Sequence, residues 1–194
     1  MTVASKPDGR VARREGTREL IMAAATDLFA ARGVTSTSID DIAEAAGIAK
    51  GSIYYNFESK AGLVEAILAR SSELLTLALA KAGDGRQGRE LQAAVVTELL
   101  ALLQAHPGGA RMLVTELFRT ERSWREAIQN WRGLALAPLI ADLVAHGVPA
   151  DRAQLRAAAI VGATLTAGLE WLVFDPELDA EIVQQSVLES LGLA

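Results

Sequence analysis

Apolar residues recur every three or four positions along most of this chain, which is the spacing of one buried helix face. The first such pattern runs over about 17–32, and Gly33 stands where a left-handed residue commonly ends a helix. A second, shorter pattern runs over 37–47. It begins with hydroxyl residues that can cap a helix, and Ser38 with Asp41 has the spacing of a loose capping box. These patterns predict two helices joined through a short turn.

A third helix is predicted to begin near Lys50, three residues after Gly47. Two short helices joined by a tight turn at a glycine are the geometry of a helix-turn-helix, whose second helix can enter the DNA major groove. The segment 50–57 offers a cation, hydroxyls and an amide on its polar side, while Ile53 and Phe57 can point inward. A buried helix would rarely carry so many hydrogen-bonding groups. The pattern therefore favours a DNA-reading helix.

The remaining apolar patterns predict only further helices. A long helix is expected from Ser59, a good N-cap, to about residue 82, and a glycine-rich break follows at 83–88. Later helices are predicted at 89–105, 110–120, 123–146, 150–174 and 177–191. Pro138 predicts a kink or break near Leu134. The sequence thus predicts an all-α fold with about nine helices.

Composition narrows the classes of protein that remain. Hydrophobic residues make up 51% of the chain but aromatic residues only 5%, so alanine and leucine dominate and favour helices. The lack of cysteine excludes disulfides, thiolate metal sites and cysteine nucleophiles. The polar start lacks a signal peptide's apolar stretch, and no run reaches the roughly 18 uninterrupted apolar residues of a membrane span. A soluble, cytoplasmic protein is expected.

The net charge of −5 argues against a protein that coats nucleic acid without specificity, but the charge is uneven. The acidic excess lies after residue 60, whereas residues 1–18 have more basic than acidic side chains. Residues 1–14 are predicted to form a basic flexible arm. Two interpretations of Arg13, Arg14 and the nearby Arg18 stand side by side: they reach the minor groove or flanking phosphates, or they are only solvated.

The segment 37–63, TSIDDIAEAAGIAKGSIYYNFESKAGL, closely resembles the DNA-binding domain of the tetracycline-repressor (TetR) family, and LFAARG at 28–33 also fits. The resemblance covers roughly residues 15–65. It implies a homodimeric transcriptional regulator, usually a repressor. It also implies a helix-turn-helix domain at 15–60 and a ligand-binding and dimerisation domain at 61–194. The partners it implies are operator DNA, a second copy of the chain and a small-molecule effector, without a cofactor.

By position, the resemblance also implies which residues contact DNA. They are Thr37 or Ser38 at a phosphate, Lys50, Gly51, Ser52, Tyr54, Tyr55 and Asn56 on the recognition helix, and Lys60 at the backbone. The sequence departs from the family at Ala49, where serine is common, and at Asn56, where histidine is frequent. Ala49 cannot cap the recognition helix. Asn56 cannot carry a charge, so no pH switch is expected there.

Small residues predict the dimer interface. Ala159, Ala163 and Ala167 form an i, i+4, i+8 stripe beside Gly162, which would let another helix come close. Tight internal packing is the alternative explanation, but the resemblance favours a dimer because the family usually pairs its last two helices with those of a copy. The last helix would add Val183, Val187 and Leu191. A two-fold dimer would prefer a near-palindromic operator.

An aromatic cluster in the C-terminal part predicts an apolar or aromatic effector. The candidate ligand-binding residues are Met112, Phe118, Trp124, Ile128, Trp131, Trp171 and Phe174. Trp124, Ile128 and Trp131 are expected to share one face of the seventh helix. Such an aromatic stripe belongs more often to the hydrophobic core than to a pocket, so the core is the alternative for each residue. In the expected switch, the effector favours a dimer conformation whose recognition helices no longer match the groove spacing.

Two other functions stand as alternatives to ligand control. An all-helical di-metal enzyme needs Glu-x-x-His motifs, and the sequence contains none, so no metal site or catalysis is expected. His106 and His146 stand at predicted helix ends, where capping is the simpler role. The second alternative keeps DNA binding but gives the C-terminal domain a protein partner or no ligand.

Overall fold

Nine α-helices and no strand make up the residues that the computed structural model describes, which are 9–117 and 123–194, with side chains from residue 13. The helices are α1 (Gly9–Arg32), α2 (Ile39–Ala45), α3 (Lys50–Asn56), α4 (Lys60–Gly83), α5 (Gly88–Ala105), α6 (Pro107–Leu117), α7 (Arg125–Ala145), α8 (Ala150–Phe174) and α9 (Ala180–Ser190). The all-α prediction is confirmed. The chain divides into two compact units between Ile67 and Leu68, within α4 and not at residue 60.

The first helix begins earlier than the sequence pattern predicts. α1 starts at Gly9, so residues 9–14 of the expected flexible arm are helical. The Thr17 hydroxyl donates to the Arg13 carbonyl oxygen at 3.0 Å, which is a bond made inside a helix and not at its start. Arginine, alanine and glutamate at 10–15 are good helix formers, so this turn forms without an apolar face. Apolar periodicity could not reveal it.

Both ends of α2 follow the chemistry predicted from the sequence. The Ser38 hydroxyl accepts from the Asp41 N–H at 3.1 Å, and the Asp41 carboxylate accepts from the Ser38 N–H at 2.7 Å, which completes the capping box. Gly47 has a φ of 65°, and the Ile48 N–H donates to the Ala43 carbonyl oxygen at 3.0 Å. This compact turn leads directly into α3.

The core of the N-terminal unit joins all its helices. Its large, deeply buried side chains include Ile21, Phe29, Val34, Ile42, Ile53, Leu63 and Val64. They come from α1, α2, α3, the first turns of α4 and the α1–α2 connection. The start of α4 therefore belongs to this unit, because Leu63 and Val64 are fully buried, and this explains why the boundary falls after residue 60.

Helix α8 is the centre of the C-terminal unit and packs most extensively on α5 and α7. Gly168 permits a close approach to α5, because a Cβ there would lie 2.5 Å from Leu103 Cδ1. By length and composition alone α8 could cross a membrane, and 39% of its apolar window is buried inside the protein. Its other side is exposed, with Leu155 72% and Phe174 69% accessible.

Helix α7 is continuous through Pro138, so the break expected near Leu134 is absent. Proline removes one helical hydrogen bond at a cost of about 3 kcal/mol. Ala135, Leu136 and Leu139 are buried on either side of it, and packing of this face stabilises the helix across the proline. The sequence around Pro138 alone does not show how strongly this packing stabilises the helix.

Candidate nucleic-acid interface and helical-domain cavity

The exposed side of α3 carries the groups that the sequence analysis assigned to DNA. Lys50, Gly51, Tyr54 and Tyr55 are exposed, and Tyr55 is 73% accessible. Ile53, on the opposite side, is fully buried. Lysine, tyrosine hydroxyls and an unobstructed glycine backbone are groups that can reach phosphates and base edges. The helix is therefore anchored by its apolar side and free to bind through the other.

The amino end of α3 lacks a side-chain cap. Ala49 precedes the helix in an extended conformation and makes no capping hydrogen bond, as its sequence predicts. Lys50 Nζ lies 2.8 Å from Asp40 Oδ1, at the start of α2. The hydrogen bond to the Asp40 carboxylate raises the pKa of Lys50, so this amine stays charged. A DNA phosphate would compete with Asp40 for the same cation.

Of the two hydroxyls expected at a phosphate, only Ser38 is exposed. Thr37 is 1% accessible, and its hydroxyl donates to the Gly33 carbonyl oxygen at 2.9 Å, so its side chain lies away from the surface. The Ser38 hydroxyl donates to the Asp41 carboxylate at 2.7 Å. Hydrogen bonds from the Ser38 hydroxyl and N–H lower the pKa of Asp41. Of the two hydroxyl residues, Ser38 is therefore the accessible candidate for a phosphate contact.

Lys60 has intramolecular partners that the sequence did not reveal. Its Nζ lies 2.9 Å from the Val34 carbonyl oxygen, 3.0 Å from that of Thr37 and 3.5 Å from that of Thr35. Three acceptors match the three N–H donors of an ammonium group. Lys60 therefore ties the α1–α2 connection to the start of α4. Its contact with the DNA backbone stays a prediction.

Helix α1 brings two exposed arginines beside the recognition helix. Arg13 and Arg14 line an open cleft of about 330 Å³ together with Thr17, Gly51, Ser52, Tyr55 and Asn56. The Arg14 guanidinium carbon lies 5.5 Å from the centre of the Tyr55 ring. The N-terminal extension of α1 therefore adds positive charge next to α3 on the same unit.

Arg18 and Asn56 are more enclosed than the other candidate DNA contacts. Arg18 donates through Nη1 to the Asn56 carbonyl oxygen at 2.9 Å, and its guanidinium carbon lies 4.2 Å from the centre of the Phe57 ring. The Asn56 side chain donates through Nδ2 to the Ser52 carbonyl oxygen at 2.8 Å. Ser52 and Asn56 are half-buried. These groups form the junction between α1 and the end of α3.

The C-terminal unit contains a small cavity between α4, α5, α6, α7 and α8. Its volume is about 40 Å³, which has room for a few water molecules and is far below the roughly 300–1,000 Å³ of sites for drug-sized ligands. Apolar side chains dominate its wall. It is lined by Ser71, Leu74, Leu99, Leu102, Leu103, His106, Gly109, Ala110, Leu113, Trp131 and Leu165.

Most of the predicted effector-binding residues lie away from this cavity. Among the described residues, Trp131 is the candidate that lines it. Four others are buried elsewhere in the unit: Met112, Trp124, Ile128 and Trp171. Phe174 is 69% exposed at the end of α8, and Phe118 lies outside the described residues. The aromatic stripe therefore serves the core more than the cavity.

Two of the indoles have hydrogen-bond partners within the unit. Trp124 Nε1 donates to Glu116 Oε2 at 3.1 Å, and Trp171 Nε1 donates to the Leu178 carbonyl oxygen at 2.9 Å. A buried indole N–H needs such a partner. Trp124 also precedes α7 as its N-cap residue, so it does not share the helix face that the sequence pattern gave it. These bonds are consistent with a structural role for both side chains.

The α5 and α6 residues that line the cavity were not predicted from the sequence. Leu99, Leu102, Leu103 and His106 follow the i, i+3, i+4, i+7 spacing of one helix face, which marks a core face but gives no sign of a void. His106 and His146 end α5 and α7, as predicted. His106 also reaches the cavity wall. No group of three metal-binding side chains occurs in the part of the chain that the structure describes.

The predicted dimer residues divide into an exposed and a buried set. Ala159, Gly162 and Ala163 are exposed on α8, and Ala167 is half-buried. Val183 and Val187 are each only 6% accessible inside their own unit, and Leu191 is half-buried. The surface that α8 and α9 offer to a partner therefore rests on the small residues of α8. Exposed apolar side chains of α8, α9 and the connection between them are Leu155, Val173, Phe174, Leu178 and Ile182.

Comparison with known proteins agrees with the helix-turn-helix geometry. The profile of the family described as bacterial regulatory proteins, tetR family, matches residues 21–67, which include α2, α3 and the start of α4. The chain is 46% identical over 55 residues to the transcriptional repressor KstR2 of Rhodococcus jostii (strain RHA1). That match covers 28% of this chain and 27% of KstR2, about a quarter of the relative's length.

Two longer similarities extend through the C-terminal unit. The transcriptional activator FasR of Mycolicibacterium smegmatis is 26% identical over 182 residues, which cover 91% of this chain and 81% of FasR. The transcriptional regulator FadR of Bacillus subtilis, solved in complex with stearoyl-CoA, superposes with a TM-score of 0.67 at 21% identity. It covers 89% of this chain and 96% of that one. At 21% identity, the similarity to FadR shows a common fold and nothing more.

Proposed function

Since the chain belongs to the TetR family of bacterial regulatory proteins, we propose that it acts in the cytoplasm as a homodimer that binds a near-palindromic operator and represses transcription. The observation that carries this proposal is the exposed face of α3, where Lys50, Tyr54 and Tyr55 stand opposite a buried Ile53. Phosphate contacts would supply most of the affinity, and groups that reach base edges would supply the sequence preference.

Selection of duplexes from a random-sequence DNA pool tests this function directly. The purified chain should enrich an inverted repeat, and Tyr55→Ala should lose that enrichment because it removes the most exposed aromatic group of α3. Leu77→Ala is the matched control, since Leu77 is 67% exposed but lies in the C-terminal unit. Recovery of the input pool without enrichment by the unchanged chain would refute DNA recognition.

The effector proposed for this regulator is a small apolar molecule that enters the cavity of the C-terminal unit. The wall is almost wholly apolar, with Ser71 and His106 as its polar side chains besides the Trp131 indole. A cavity of about 40 Å³ cannot hold such a molecule, so binding must move the surrounding helices apart. That expansion gives the ligand different affinities for two conformations, which is the requirement for a switch. The fold shared with a stearoyl-CoA-binding regulator supports an acyl chain as the first class to test.

The small cavity also favours a second candidate function, in which the C-terminal unit binds a protein partner or nothing. The two candidate functions predict different results when the selected operator complex is titrated with saturated fatty acids and acyl-CoA thioesters of graded length. Release of DNA together with a change in tryptophan fluorescence supports the effector, because Trp131 lines the cavity. Retention of DNA and unchanged fluorescence over the whole series would favour the second candidate.

The sign of regulation is read in the same system. A transcription assay with the selected operator between promoter and reporter should show lower output when the chain is added. Higher output would place this regulator with activators such as the FasR relative. In either case the DNA-binding proposal is judged by the selection experiment alone.

A further inference from the structure

The recognition helix is too short to fix its own position. α3 has seven residues and no side-chain cap at its amino end, where Ala49 stands. An isolated helix of this length is unstable in water, so tertiary contacts must define where it begins and ends. Ile53 and Phe57 anchor one side of it in the core. The remaining question is what holds the carboxyl end, where the last carbonyl groups of any helix lack donors.

Arg18 supplies a donor at that end. Its Nη1 lies 2.9 Å from the Asn56 carbonyl oxygen, the last residue of α3, and the contact is partly buried. The guanidinium also lies over the Phe57 ring at 4.2 Å, within the range of a favourable cation–π contact. Phe57 itself is 4% accessible and leaves the helix in an extended conformation. A cation at a helix C-terminus further complements the helix dipole.

Arg14, one helical turn before Arg18, offers a matched comparison. It lies on the same side of α1, four residues earlier, and its guanidinium is 5.5 Å from the Tyr55 ring. Arg14 is exposed and borders the open cleft beside α3. Arg18 is half-buried and has its guanidinium against α3. These two arginines of α1 therefore occupy different environments.

We propose that Arg18 is a positioning residue that fixes the carboxyl end of the recognition helix and does not itself contact DNA. Through the Asn56 carbonyl and the Phe57 ring it sets the direction in which Tyr54 and Tyr55 face the groove. The effect on operator binding rests on the proposed DNA-binding function. The effect on the helix end does not, because it is a property of the free protein.

The first test uses amide hydrogen exchange in the full-length protein without DNA. In Arg18→Met, which keeps the aliphatic stem but loses the donors, the Phe57 amide should exchange about tenfold faster, because its bond to the Ile53 carbonyl at 2.7 Å closes the last turn of α3. Exchange at Ile42 and Ala43 of α2 should be unchanged. Unaltered exchange at Phe57 would overturn the proposal, and a rise throughout the unit would indicate general unfolding and reject a positioning role as well.

The second test separates positioning from phosphate contact. Duplexes selected by the unchanged chain serve as the probe, and binding is measured over a range of salt concentrations. Arg18→Met should weaken binding about tenfold without altering the slope of log K against log salt. Arg14→Met should lower the magnitude of the slope by about 0.9 if Arg14 contacts one phosphate. A slope reduced by the same amount in Arg18→Met would overturn the proposal, because it would show a lost phosphate contact.

Arg18→Lys keeps the experiment decisive if Arg18→Met does not fold. Its ammonium retains charge and a donor but not the planar guanidinium over Phe57, so the Phe57 amide should exchange faster than in the unchanged chain while the salt slope stays the same. Exchange equal to that of the unchanged chain, together with equal DNA affinity, would show that any cation suffices and would contradict positioning by the guanidinium. If the unchanged chain selects no DNA, the proposed function fails while the exchange result still decides the role of Arg18.

Discussion

Asp40 is a negative charge on a surface proposed to meet a polyanion. Its carboxylate holds Lys50 Nζ at 2.8 Å, and both side chains are more than half exposed. Exposed ion pairs add little to folding stability, so Asp40→Asn should leave thermal unfolding almost unchanged. It should strengthen binding to any duplex several-fold, because Lys50 becomes free for a phosphate and a repulsive charge is lost. The slope of log K against log salt should steepen by about 0.9.

Asp84→Asn provides the control for this variant, since it makes the same change of charge at an exposed position of the C-terminal unit. It should leave both affinity and salt slope near those of the unchanged chain. Equal tightening by both variants would attribute the effect to net charge. No tightening by Asp40→Asn would remove Lys50 from the set of phosphate contacts.

The sequence could predict which residues of α3 are exposed because helical periodicity separates one face of a helix from the other. Ile53 and Phe57 lie inward and Tyr54 and Tyr55 outward, as the spacing predicts. It could not assign partners to Lys60, because the carbonyl oxygens that surround its ammonium belong to residues 34, 35 and 37 and every residue carries such an acceptor. Only the fold brings these atoms together. The side chains that donate to backbone groups were therefore the part of the site that sequence reasoning missed.

At the scale of elements, the packing of α8 on α5 includes a close approach at Gly168. A Cβ there would meet Leu103 Cδ1 at 2.5 Å and Leu100 Cδ2 at 3.2 Å. Overpacking of this kind costs about 1–3 kcal/mol, whereas replacing a helical glycine by alanine gains about 1 kcal/mol. Gly168→Ala should therefore lower the free energy of unfolding by about 1 kcal/mol, measured by urea denaturation.

Two further variants test whether the clash with Leu103 causes the expected loss of stability. In a Leu103→Ala background the nearest clash is gone, so Gly168→Ala should become neutral or stabilising. Gly133→Ala on α7 is the control, because nothing lies within 4 Å of its added Cβ and only the gain of about 1 kcal/mol applies. If Gly168→Ala stabilises the unchanged chain as much as Gly133→Ala does, the close packing of α5 on α8 is refuted.

The helix boundaries show which physical effects can be inferred from a sequence pattern and which cannot. α8 agrees with the predicted 150–174 because an apolar face, Pro149 before it and the loss of the pattern after Phe174 all coincide. α1 and α7 differ for opposite reasons. The first turns of α1 form on propensity without an apolar face, and α7 persists through Pro138 because buried residues on both sides hold it. The cavity wall was missed because a helix face lining a void has the same spacing as one lining a core.

At the scale of the whole molecule, the exposed side of α8 is the surface best suited to a second copy. Ala159, Gly162 and Ala163 are small enough to let two helices approach closely, and Leu155, which is 72% exposed, would be buried by a partner. A two-fold dimer would place two recognition helices on successive turns of the major groove, roughly 34–36 Å apart. Dimerisation and tight operator binding should therefore be lost together.

Ala159→Arg and Ala163→Arg test this coupling, because each adds a charge and a long side chain where a partner helix would lie. By light scattering at micromolar concentration, the unchanged chain should have twice the mass of one 20.5 kDa chain, and each variant should have the mass of a single chain. The helical content of both variants should equal that of the unchanged chain.

Ala141→Arg is the control, since Ala141 is an exposed alanine on α7. It should remain a dimer and keep its affinity for the selected inverted repeat. Both α8 variants should bind that repeat no better than a single half-site, because a monomer presents one recognition helix. A variant that stays dimeric would locate the interface elsewhere on the C-terminal unit.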